Sequence, residues 1–192
     1  EKLAAYFRKN SVPSLPPVAV DPGRPFPFIS NMSLSLAVLL RHPDRGTQHF
    51  ARVKVPTSRA RWLSLDEPLH FVPIEQVIAH HVDELFQGME VEGVYAFRVT
   101  RNADVRRDEE EADDLIEMIS ERLRERRFAP VVRLEVDHDM PESVRSFLME
   151  KLSIGPEDVY VADGIIDFTD VRVLADLHVP DDRYHAVAVV LQ

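Results

Sequence analysis

Six basic side chains fall between positions 41 and 61: Arg41, Arg45, Arg52, Lys54, Arg59 and Arg61, against the single acid Asp44. Arginine forks match the geometry of phosphate oxygens, so this run could hold a polyanion. Side chains two apart on a strand share a face, which puts Arg52 beside Lys54. Arg52, Lys54, Arg59 and Arg61 are therefore the candidate phosphate-facing residues. The competing reading is the exposed polar face of a hairpin, the commoner outcome for such a run.

Other constellations carry less. His80 and His81 stand near Asp83 and Glu84. Only helical residues three or four apart converge, so His80 and Glu84 could meet, but one pair is not a metal site. The spacing predicts His81 half-buried in an apolar stripe and His80 in water. Asp137-His138-Asp139 imitates an acid–base cluster, yet it lies at a strand end before Pro141, where Asp commonly caps. No metal site is expected. The chain has no cysteine, which excludes disulfides, thiolate nucleophiles and thiolate metal sites. The six glycines are scattered, so no phosphate-cradling loop and no Gly-x-Ser-x-Gly elbow exists.

The elements that would position these residues read as an α+β domain: a mixed β-sheet with about three packed helices. Residues 1–10 look helical. Residues 11–31 carry six prolines, which forbids a regular helix and predicts a semi-rigid connector. Leu34, Leu36, Val38 and Leu40 alternate with Ser33, Ser35, Ala37 and Leu39, a strand period. After a turn at Pro43–Gly46, Phe50–Val55 alternates again, giving a hairpin. Trp62, Leu63 and Leu65 add a short strand. A helix over 73–86 has the stripe Ile74, Val77, Ile78, His81, Val82 and Leu85. A strand over 91–100 follows, then a helix over 109–127 that opens on acids and closes on arginines, as the helix dipole favours. The remainder reads as a strand over 131–136, a helix over 141–152, a short strand over 159–161 and a last short helix over 167–177. The expected division is a helix end and connector over 1–31, a domain over 32–180 and an atypical tail over 181–192.

Length and charge bound the function. The 192 residues suit one domain with a modest extension. The net charge of −10 argues against nucleic acid as a partner. It also hides a split: residues 1–65 carry ten Lys/Arg and three Asp/Glu (+7), and residues 66–192 carry thirteen and thirty (−17). The longest uncharged stretch, 25–40, is too short and too broken by proline for a membrane span. The absence of cysteine and of a signal-like opening fits a cytoplasmic location, with a peripheral place at the inner membrane face as the other option. An opening in mid-helix, without Met, reads as a piece of a longer protein.

Particular runs carry a resemblance. Asp21-Pro22-Gly23-Arg24-Pro25-Phe26-Pro27-Phe28-Ile29-Ser30-Asn31, within 17–38, resembles the opening of the head (middle) domain of bacterial polyphosphate kinase, the ATP–polyphosphate phosphotransferase. Phe50–Pro56, Phe71–Met89, Phe97-Arg98-Val99-Thr100-Arg101-Asn102-Ala103-Asp104, and Val132–Val136 with Met140-Pro141 resemble later segments in the family's order. The resemblance spans roughly residues 1–177. It departs at Ser14-Leu15-Pro16-Pro17, where the family usually has Val-Leu-Thr-Pro, and over 183–192.

The resemblance implies a non-catalytic head domain that supports dimerisation and walls an active-site tunnel. The parent enzyme would pass the terminal phosphate of ATP, with Mg, to polyphosphate through a phosphohistidine. That histidine lies in a C-terminal part, and none of the eight histidines here has Lys two residues later. No catalytic residue is therefore carried over, and the stretch alone is expected to bind no cofactor and make no polyphosphate. Its expected partners are the enzyme's other domains, a second copy of itself and polyphosphate. Two alternatives stand beside it. One is a pure interaction module without substrate contact. The other is a stand-alone phosphohistidine-handling enzyme using His81 and His138.

Overall fold

Leu34, Leu36, Val38 and Leu40, alternating with Ser33, Ser35, Ala37 and Leu39, build the centre of the fold. The computed structural model describes residues 2–8, 17–20, 26–66, 69–102, 129–176 and 188–189. Its elements are α1 (Lys2–Tyr6), β1 (Val18–Val20), β2 (Ser33–Arg41), β3 (Gln48–Lys54), β4 (Trp62–Ser64), β5 (His70–Pro73) and α2 (Ile74–His80). A 3-10 turn over Val82–Leu85 then leads to β6 (Glu90–Arg101), β7 (Val131–Asp137), α3 (Glu142–Leu152), β8 (Val159–Ala162), α4 (Val171–Ala175) and β9 (Ala188–Val189).

Six strands form one sheet in the order β1-β3-β2-β6-β7-β8. Its ladders are antiparallel except β7 with β8, which are joined through α3. A parallel pair needs such a crossover, whereas β2 and β3 need only the turn over 42–47. β4, β5 and β9 form a second, three-stranded sheet. The α+β reading with a mixed sheet therefore holds. The acidic helix expected over 109–127 lies outside the described residues, as does the tail except Ala188–Val189.

Both faces of the large sheet are covered. Leu34, Leu36, Val38 and Leu40 meet Ile74, Val77 and Ile78 of α2 in one core. Ala37, Phe50, Phe97, Val99, Leu134 and Val136 meet Val144 and Leu148 of α3 in the other. Each fully buried Leu, Ile or Phe contributes about 1.5–3 kcal/mol, so the two layers together hold the sheet between them. Alternation with serine reads as a strand with one wet face, but Ser33 and Ser35 are buried too. Their hydroxyls are satisfied internally. Ser33 Oγ donates to the Ser30 carbonyl at 2.8 Å, and Ser35 Oγ accepts from Arg52 Nε at 3.1 Å.

Three local readings change. Within the stretch read as a connector, Val18–Val20 is an edge strand on β3 and Ile29 is buried in the second core. The helix expected over 73–86 ends at His80 and continues as the 3-10 turn, and at the break His81 stacks on Phe7, the residue after α1, at 5.2 Å. Pro73, read as the first residue of that helix, instead closes β5, which pairs with β4. At the far end of α3, Ser153 sits in the left-handed region at φ 56°. That conformation suits glycine, so Ser153→Gly should raise stability by about 0.5–1 kcal/mol, read as a shifted urea midpoint.

Candidate functional site

The four candidate cations divide into two buried and two exposed. Arg52 and Lys54 do share a side of β3, yet Arg52 is 6% exposed and Lys54 is open to water. Arg52 lies under β1 and the segment 26–29. Its Nη1 donates to the Phe28 carbonyl at 2.9 Å, and its Nη2 has no partner. No carboxylate among the described residues pairs with it. Burial pulls its pKa down to about 10. Arg101 acts on the next carbonyl, donating from Nε to Ile29 at 2.9 Å and from Nη1 to Ala129 at 2.7 Å while covering the Phe28 ring. Two arginines thus fix the Phe28-Ile29 backbone against the sheet.

Arg61 is buried as well and belongs to a chain of alternating charge. Its Nε donates to Glu75 Oε1 at 3.0 Å and its Nη2 to the same oxygen at 2.5 Å. Its Nη1 donates to the Asp167 carbonyl. The Asp167 carboxylate then reaches toward Arg98, Arg98 pairs with Glu135 at 3.0 Å, and Glu135 pairs with Arg133 at 3.1 Å. Arg98 and Glu135 face each other across the β6–β7 ladder, so the sheet register itself sets that pair. Burial pushes the Asp167 carboxyl up, but hydrogen bonds from the Thr169 backbone and hydroxyl, with the Arg98 and Arg61 charges, hold it below its ordinary value.

Of these, Arg61, Arg98 and Asp167 line a cleft of about 320 Å³, together with Thr57, Arg59 and Thr169. Its wall is the loop that follows β3, and its far side is the segment before α4, tied in by Trp62 Nε1 donating to the Asp170 carbonyl at 2.9 Å. Arg59 and Lys54 are exposed and pair with no described residue. Of the four candidates, the cleft brings Arg59 and Arg61 together and leaves Arg52 on the opposite face of the sheet. Reading for clustered cations passes over Arg98, Glu75, Glu135 and Asp167. The available signal was a charge set between apolar neighbours in a strand, as in Phe97-Arg98-Val99 and Leu134-Glu135-Val136.

The histidine clusters take simpler roles. Glu84 does not meet His80, because α2 stops there. It accepts from Arg8 Nε at 2.9 Å and lies 3.5 Å from His81 Nδ1, which ties α1 to the 3-10 turn. His81 is partly buried and His80 exposed. Asp137, His138 and Asp139 form the turn between β7 and α3, with ligand atoms within 4.8 Å of one another. His138 is half exposed and lies 3.3 Å from Asp137 and 3.1 Å from Asp139.

A family model described as the polyphosphate kinase middle domain matches residues 1–174. Polyphosphate kinase of Thermosynechococcus vestitus is 43% identical over 186 residues, covering 93% of this chain and 25% of that protein. Polyphosphate kinase of Mycobacterium avium is 41% identical over 191 residues, covering 94% and 26%. The chain thus spans about a quarter of the length of these curated relatives. A crystal structure of polyphosphate kinase from Porphyromonas gingivalis shares the fold, with a TM-score of 0.69 at 24% identity over 93% of this chain and 25% of that one.

Proposed function

We propose that this chain, which belongs to the polyphosphate kinase family through its middle domain, is a non-catalytic wall of that enzyme's active-site tunnel and part of its dimer. The parent would be a phosphotransferase that moves the terminal phosphate of ATP onto polyphosphate through a histidine outside this stretch. Metal ions would neutralise the moving charge, as phosphoryl transfer requires. The observation that carries the reading is the exposed, unpaired side chains of Lys54, at the end of β3, and of Arg59, which lines the cleft, in a chain matched to the family over residues 1–174. These two face the polyanion, whereas Arg52 and Arg61 hold the wall that presents them. No helix among the described residues is long and apolar enough to cross a membrane, and the expected location is the cytoplasm.

The test is charge reversal in the full-length enzyme. Lys54→Glu with Arg59→Glu should lower the rate of polyphosphate synthesis about tenfold or more, since each charged hydrogen bond contributes about 1.5–3 kcal/mol. The dimer should persist on a sizing column. A second reading, an interaction module that never meets substrate, draws on Phe168 and Val173, which are 68% and 59% exposed. If the double reversal splits the dimer, or leaves the rate untouched, that second reading is the better one.

A further inference from the structure

Asp167 stands between two arginines that already have partners. Arg61 is paired by Glu75 and Arg98 by Glu135. Asp167 Oδ2 lies 4.0 Å from Arg61 Nη1 and 3.8 Å from Arg98 Nε, beyond hydrogen-bond length. Its other oxygen, Oδ1, accepts from the Thr169 backbone N–H at 3.0 Å and from the Thr169 hydroxyl at 2.8 Å. The carboxylate therefore shows one oxygen to both guanidiniums and bonds neither through it. Arg98 Nε is buried and has no acceptor at all. Buried donors normally find one. Arg59, exposed and unpaired, lines the same space, as does Thr57.

We infer that the cleft between Arg59, Arg61 and Arg98 is an oxyanion subsite that takes a phosphate group, with the Asp167 carboxylate as its built-in competitor. A phosphate carries several oxygens on one centre, so it can serve Arg98 Nε and a second guanidinium at once, which the tethered Asp167 oxygen does not. Arginine forks favour that geometry over a point charge. The volume, about 320 Å³, sits at the small end of ligand cavities and suits a short phosphate chain. Glu75 and Glu135 remain paired with their arginines throughout, so the acids of the cleft lining that oppose the incoming charge are Asp167 and the exposed Asp170. The inference rests on the reading above only for the source of the phosphate.

The 192-residue chain would be titrated with tripolyphosphate and, separately, with inorganic phosphate, followed by calorimetry. Saturable tripolyphosphate binding is expected. Asp167→Asn keeps an acceptor for Thr169 and removes the charge, so it should tighten binding by about tenfold, the low end for a hydrogen bond to a charged group. Arg98→Met should loosen it by about the same factor. Arg59→Ala should also loosen it, and its exposed position leaves the fold intact, as a thermal melt would register. A gain of affinity on losing a cleft side chain is a result that a merely structural Asp167 would not give. Inorganic phosphate binding as tightly as tripolyphosphate supports the subsite and assigns it to free phosphate. Equal affinity in the parent chain, Asp167→Asn and Arg98→Met overturns it. So does an absence of binding; if the Lys54/Arg59 reversal still slows the full-length enzyme in that case, the polyanion-facing reading survives without the subsite.

Discussion

Arg61→Met should remove about 3–5 kcal/mol of stability, because it leaves the Glu75 carboxylate buried without its cation. The two side chains are 7% and 9% exposed, and three hydrogen bonds join them. A domain of this kind has only about 5–15 kcal/mol in hand, so the single variant should sit near the edge of folding. The methionine fills roughly the volume of the arginine stem, so the loss belongs to the orphaned charge and not to a cavity. Arg61→Met with Glu75→Leu should therefore restore much of what the single change loses, since an apolar pair can replace a buried ion pair at little net cost. Urea midpoints of the parent, single and double variants decide it. A single variant within about 1 kcal/mol of the parent would mean that water reaches Glu75.

Arg52→Glu and Lys54→Glu make the same charge reversal two positions apart on one side of β3, and their outcomes should be opposite. At position 52 the new carboxylate would be buried against the Phe28 carbonyl and the Ser35 hydroxyl oxygen. Several kcal/mol of desolvation and repulsion should leave that chain unfolded at room temperature. At position 54 the carboxylate would stand in water, with an effect within about 0.5 kcal/mol. Far-ultraviolet circular dichroism separates the two, and two folded variants would place Arg52 outside the core. The sign of the Arg52 charge is also fixed. Burial holds its pKa at about 10, below the ordinary arginine value, so the folded chain gives up that proton more readily than the unfolded one. The charge therefore opposes folding below about pH 10, and the penalty fades as pH rises above it.

What could be read without the structure follows from how local each cause is. β2, β3, β6 and β7 are long and alternate, and α3 carries Val144 and Leu148 at helical spacing, so their own residues declare them. β1 has three residues among prolines and exists because β3 offers it an edge. β5 runs straight into α2 with no turn residue between them. The candidate cations were legible as a cluster but not as neighbours. Arg52 finds its carbonyl 24 positions away, and Arg61 finds its carboxylate 14 positions away and a second acid 106 away. A run of like charges states what a segment could attract. Which members keep their charge facing water depends on the layers laid over them.

The cleft also has a place in time. Among the described residues, hydrogen bonds from Arg61 to Asp167 and from Trp62 to Asp170 join its two sides, closing loops of 106 and 108 residues. The β2–β3 hairpin, by contrast, closes across a turn of a few residues. Contacts that span long loops form late, because the entropy of closing them must be met before they stabilise anything. A chain emerging from the ribosome can pair β2 with β3 and seat Arg61 against Glu75 well before Asp167 has been made. The cleft thus acquires its shape late, after the β2–β3 hairpin is already standing.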